Sequence, residues 1–166
     1  WSRGLGDVYK RQQYRFFERE QAMHTIFILN GPNLNLLGER EPDVYGHTKL
    51  SEIKEWCEAD AKELGLGIDF RQSNFEGEII EAIHAARKLA KGIIINPAGY
   101  TFTSIAILDA LKMFDGPKIE LHISNVHKRE EIYHHSLMSR TATAVMAGFG
   151  AYGYRLALRA MAEMTK

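Results

Sequence analysis

The chain has 166 residues, 45% hydrophobic and 25% charged, a balance that fits one globular domain with a core of its own. Lys plus Arg and Asp plus Glu number 21 each, and this neutral sum weighs against nonspecific binding to nucleic acid or to an anionic membrane. No apolar run is long enough to span a bilayer, and the one cysteine, Cys57, cannot make an internal disulfide, which fits a reducing, cytoplasmic compartment.

The first 22 residues, WSRGLGDVYKRQQYRFFEREQA, are polar and basic, lack clear periodicity, and have neither the apolar centre nor the cleavage site of a secretory signal. Met23 precedes His24-Thr25 and the first strand pattern, so it reads as a natural start. Residues 1–24 are therefore expected to be an extension foreign to the domain and artefactual in origin, with a partner-binding tail as the alternative. Residues 25–166 are expected to form a single domain.

From Thr25 onward, short apolar runs alternate with amphipathic stretches. Strands are predicted at TIFILN (25–30), GIDFRQ (67–72), GIIIN (92–96), KIELHIS (118–124) and AVMAGF (144–149). The continuous runs IFIL and III imply strands covered on both faces. Helices are predicted over 48–64, ending at Gly65, and over 76–90, 103–114 and 150–164. Cys57 falls on the first of these and reads as a buried structural thiol, with no adjacent histidine to activate it. Strand then helix, repeated, predicts an α/β fold with a parallel sheet.

Ligands of such sheets bind beyond the carboxyl ends of the strands. The first, third and fourth strands end in NGPN, NPAGYTFTS and HISN, so these three polar motifs should meet at one edge. A single asparagine after a strand is ordinary turn chemistry, but Asn33 and Asn96 at two strand ends, with His122 at a third, point to a site. Glu120 and His122 stand two apart on one strand and share a face, so the carboxylate can orient the imidazole as a general acid; a satisfied pair inside the sheet is the other reading. In LLGEREPDVYG, Arg40 is expected to stabilise the Tyr45 phenolate, on a loop long enough to act as a lid; a solvated arginine and a packed aromatic are the bland alternative. His127, His134 and His135 lack the spacing of a secure metal site and read as surface or interface residues. GFGAYGYR is not GxGxxG, and its Gly148, Gly150 and Gly153 read as allowing close strand–helix packing.

Five segments, NGPNLNLLGEREPDVYG, RQSNFEGEIIEAIHAA, INPAGYTFTSIAILDAL, ELHISNVHKREE and GFGAYGYRLAL, together closely resemble the type II 3-dehydroquinate dehydratases of the shikimate and quinate pathways. The resemblance runs from about Thr25 to the C-terminus and implies a flavodoxin-like three-layer fold with a five-stranded parallel sheet. It implies neither metal nor organic cofactor, a small carboxylate substrate, and a homo-oligomer that is usually a dodecamer of four trimers. The implied reaction is anti elimination of water from 3-dehydroquinate, through an enolate, to 3-dehydroshikimate. By this resemblance Tyr45 is the base, Arg40 lowers its pKa, Asn33 holds the water that stabilises the enolate oxygen, and His122 is the acid with Glu120 behind it. Asn96, Ile123 and Ser124 resemble the group that holds the carboxylate and C1 hydroxyl, and Asp109 resembles a residue lent to a neighbouring site in the trimer.

Two positions depart from the family pattern. The motif GAYTHTS is here AGYTFTS, so Phe102 replaces a histidine, and Tyr133 stands where an arginine is usual; both replaced residues bind ring hydroxyls. A site built to hydrogen-bond hydroxyls weakens by about 1–3 kcal/mol for each unmet group. Besides 3-dehydroquinate dehydration, two alternatives follow: a dehydratase of the same fold acting on another cyclic hydroxy-keto acid, and a non-catalytic carboxylate-binding homologue. Arg129 or His134 could offset the loss.

Overall fold

In the computed structural model, which describes residues 25–39 and 46–166, the short apolar runs become five parallel strands. They are β1 (Thr25–Asn30), β2 (Gly67–Gln72), β3 (Ala90–Asn96), β4 (Lys118–His122) and β5 (Ala144–Ala147), in the spatial order β2-β1-β3-β4-β5. Among the described residues, four α-helices connect or follow them: α1 (Leu50–Leu64), α2 (Glu76–Leu89), α3 (Ile105–Lys112) and α4 (Gly153–Met164). The expected extension over 1–24 and the expected Arg40–Tyr45 pair lie outside the described residues.

Strand alternation builds two cores, one on each face of the sheet. Ile26 and Ile28 of β1 turn to one face, where Ile53, Cys57 and Ala61 of α1 and Tyr154, Leu158 and Met161 of α4 cover them. Phe27 and Leu29 turn to the other, under Ile79, Ile83 and Ala86 of α2 and Ile107 and Leu111 of α3. The result is the three-layer arrangement and flavodoxin-like strand order expected from the motifs. Burial pushes the Cys57 thiol up to about 12, so it is an inert packing group in the α1 core.

Boundaries moved where local chemistry outweighed pattern. The α1 helix starts at Leu50 rather than Thr48, because Glu52 reaches back to accept the Lys49 N–H at 2.8 Å. It ends as expected at Gly65, which is left-handed at φ 69°. Ser104 caps α3 by accepting the Ile107 N–H at 2.9 Å, so that helix starts at Ile105. β4 stops at His122 and β5 at Ala147, short of the expected 124 and 149. The glycines of GFGAYGYR divide in role: Gly148 and Gly150 supply left-handed turns (φ 89° and 61°), and only Gly153 lies close against a strand, where a Cβ would sit 3.2 Å from Leu121 Cδ1.

Candidate active site

β1 and β3 are neighbours, yet the chain leaves β1 for β2 and leaves β3 for β4, in opposite directions across the sheet. Such a switch point opens a crevice at the carboxyl ends. A cavity of about 150 Å³ lies there, and Asn33, Asn96, Phe102, His122, Ile123, Ser124 and Tyr133 all line it. The three strand-end motifs therefore converge as expected. Pro32, Gly99, Val126 and Arg129 complete much of the wall.

Several of these residues are fixed by hydrogen bonds from the sheet and its loops. Asn33 is in the left-handed region at φ 66°, and its N–H donates to Asn74 Oδ1 at 2.9 Å. Gly31 brings the end of β1 against β3: its N–H donates to the Asn96 carbonyl at 2.8 Å, and a Cβ there would lie 2.4 Å from the Pro97 carbonyl oxygen. Asn96 is buried and clamped at both ends of its amide. Its Nδ2 donates to the Tyr154 hydroxyl at 3.1 Å, and its Oδ1 accepts the Ala98 N–H at 3.2 Å. The Tyr154 hydroxyl donates onward to Asn30 Oδ1 at 2.7 Å, and Asn30 Nδ2 donates to the Arg71 carbonyl at 2.9 Å. Tyr154 is fully buried, and burial raises its pKa, so it stays a neutral phenol.

His122 stands on the cavity wall with a buried partner. Its Nε2 lies 2.7 Å from Oε1 of Glu120, which is fully buried, while His122 itself is 6% exposed. With the Glu120 oxygen as acceptor, the imidazole Nε2–H is the donor of this bond, and Nδ1 is the ring nitrogen it leaves aside. Ser136 Oγ donates to the same Glu120 oxygen at 2.7 Å. The Phe102 ring stacks on the His122 ring with centroids 6.3 Å apart and planes 21° apart. Tyr133 meets Phe102 edge-on at 5.3 Å, and the Arg129 guanidinium lies 3.7 Å above the Tyr133 ring.

Some expected residues stand elsewhere. Asp109 is on α3, 63% exposed and 3.0 Å from Lys112 Nζ, away from this cavity. His127, His134 and His135 are exposed; the first two rings lie 6.0 Å apart, and His134 Nε2 meets the Arg129 carbonyl at 2.8 Å. Among the described residues, no group of three or more His, Cys, Asp or Glu is placed to hold a metal. No helix of those residues is long and apolar enough to cross a membrane. Asn30, Ser136 and Tyr154 escaped the sequence reading. Tyr154 carried a usable signal, since a tyrosine on the core stripe of a helix needs a partner for its hydroxyl.

The chain resembles known proteins along most of its length. A family model described as Dehydroquinase class II matches residues 24–162. A 3-dehydroquinate dehydratase of Cereibacter sphaeroides is 57% identical over 140 residues, 84% of this chain and 95% of the relative. The 3-dehydroquinate dehydratase 2 of Pseudomonas aeruginosa is 52% identical over 139 residues, 84% of this chain and 94% of that one. The crystal structure of a type II dehydroquinase from Propionibacterium acnes superposes with a TM-score of 0.82 at 42% identity, covering 84% of this chain and 97% of that one.

Proposed function

Because the chain belongs to the class II dehydroquinase family and is thereby a hydro-lyase, we propose that it removes water from 3-dehydroquinate by anti elimination to give 3-dehydroshikimate. In this reading Tyr45 takes the C2 proton, and the electrons released move onto the ketone oxygen as an enolate. Arg40 favours the Tyr45 phenolate, which is otherwise scarce at neutral pH for a group titrating near about 10. Asn33 holds a water at the enolate oxygen. The enolate then collapses, and His122 protonates the C1 hydroxyl as it leaves as water. Asn96, Ile123 and Ser124 hold the carboxylate and the C1 hydroxyl, with Phe102 and Tyr133 at the ring-hydroxyl end. The same reading carries a dodecamer of four trimers with Asp109 serving a neighbour's site, which its outward position on α3 supports.

The observation that carries the reading is the buried Glu120–His122 pair, at 2.7 Å, on the wall of a switch-point cavity ringed by Asn33, Asn96 and Ser124. A second reading, a different cyclic hydroxy-keto acid, draws on the edge-on Phe102 and Tyr133 rings, which present carbon where ring hydroxyls would look for donors. One assay separates the two. Purified protein is given 3-dehydroquinate, and the ultraviolet absorbance of the conjugated enone product is followed, with Tyr45→Phe as control. Turnover that disappears in the control establishes the first reading. A well-folded protein with no turnover refutes it and moves the search to related hydroxy-keto acids.

A further inference from the structure

Among the described residues, two buried side-chain polar atoms lack a hydrogen-bond partner, Thr101 Oγ1 and Glu120 Oε2. Buried polar atoms are paired in folded proteins, and an orphan calls for an explanation. One orphan is a hydroxyl that can donate and the other a carboxylate oxygen that can accept. Both residues are fully buried. They flank one dipeptide: the Ser136 hydroxyl donates to Glu120 Oε1 at 2.7 Å, and the next residue, Leu137, donates its N–H to the Thr101 carbonyl at 2.9 Å. A second tie joins the same two segments, since Phe102, beside Thr101, stacks on His122, two residues from Glu120.

Ser136 is not a casual neighbour of the carboxylate. Its oxygen accepts the Ser139 N–H at 3.0 Å, which leaves its own hydrogen to point at Glu120. The segment is anchored by Met138, which is fully buried, and by the Leu137–Thr101 bond. Neutral donors of this kind hold a buried carboxylate in one orientation.

We infer that Thr101 and Ser136 are positioning residues whose hydroxyls hold the two oxygens of Glu120, Ser136 on Oε1 directly and Thr101 on Oε2 through one water, and so fix His122 for proton transfer. The inference rests on the reading of His122 as the proton donor, and it gives the loop after β4 a task in the reaction. Neither residue touches the substrate. Each acts through Glu120.

The test uses the full chain and four variants: Ser136→Ala, Thr101→Val, Thr101→Ser and His122→Asn. Proton NMR locates the His122 Nε2–H, shifted downfield by its carboxylate partner and identified by its loss in His122→Asn. Ser136→Ala and Thr101→Val should move or broaden that resonance and lower kcat by roughly 10- to 100-fold, with KM nearly unchanged. Thr101→Ser, which keeps the hydroxyl, should retain both the resonance and kcat. A thermal melt of each variant separates this outcome from unfolding. If both hydroxyl deletions keep the wild-type resonance and kcat while His122→Asn is inactive, the inference is overturned and the role of His122 stands. If the wild type itself does not turn over 3-dehydroquinate, the proposed function fails, and the NMR comparison alone decides the inference.

Discussion

Phe102 is the side chain on which the choice between the two proposed readings turns. Its ring lies against the imidazole of His122 on one side and the edge of Tyr133 on the other, so the far wall of the cavity is aromatic carbon. Arg129 carries a guanidinium at that end, but it is spread over the Tyr133 ring at 3.7 Å. Placing donors there should favour a hydroxyl-rich ring. Phe102→His and Tyr133→Arg are each expected to lower KM for 3-dehydroquinate by about tenfold, the worth of one matched hydroxyl, with a smaller change in kcat. Steady-state kinetics on the single and double variants check this. An unchanged or higher KM in the double variant would show that the aromatic wall already suits the substrate.

At the scale of elements, the link between α4 and the ends of β1 and β3 is one tyrosine. The Tyr154 hydroxyl joins Asn30 to Asn96, and Asn96 lines the cavity. Tyr154→Phe keeps the ring and leaves both amides short of a partner inside the core. The expected cost is about 1–3 kcal/mol in chemical denaturation, together with a raised KM as Asn96 loses its anchor. A variant that melts early but binds substrate normally would confine Tyr154 to stability. This link also marks the limit of what the sequence disclosed. The strands were legible because IFIL and III are short β-branched and apolar runs of strand length, all buried, and the candidate site because its residues sit directly after those strands. Glu120 and His122 were legible as a pair because a strand's period of two puts them side by side. Asn30 and Tyr154 are 124 residues apart, and no local pattern joins them. Ser136 follows two exposed histidines in an irregular loop, and only the fold brings it to Glu120.

For the molecule as a whole, the two helices on one face are locked by a buried acid. Asp60 of α1 is fully buried and accepts Nε and Nη2 of Arg155 on α4, both at 2.7 Å, with Arg159 at 3.4 Å. The Arg155 hydrogen bonds hold the Asp60 carboxyl below the usual carboxylate range, against the opposing effect of burial. A depressed folded-state pKa makes the unfolded chain bind more protons in acid, so this contribution to stability rises with pH. It is complete above the unfolded value of about 3.9 and fades as pH falls from there through the lower folded value. Asp60→Asn should therefore lower Tm by several degrees at pH 7 and by the same amount at pH 5, with a visibly smaller gap at pH 3, where Asp60 of the unfolded chain is mostly protonated. Both arginines are partly exposed, so added salt should narrow the gap at pH 7 as well. Turnover at 25 °C should be unaffected, because Asp60 lies among the α1–α4 contacts and not on the cavity wall. Thermal melts of both proteins at the three pH values decide the matter. A gap of constant size down to pH 3 would mean that the carboxylate matters through packing and hydrogen-bond geometry, and that its charge does not hold the two helices together.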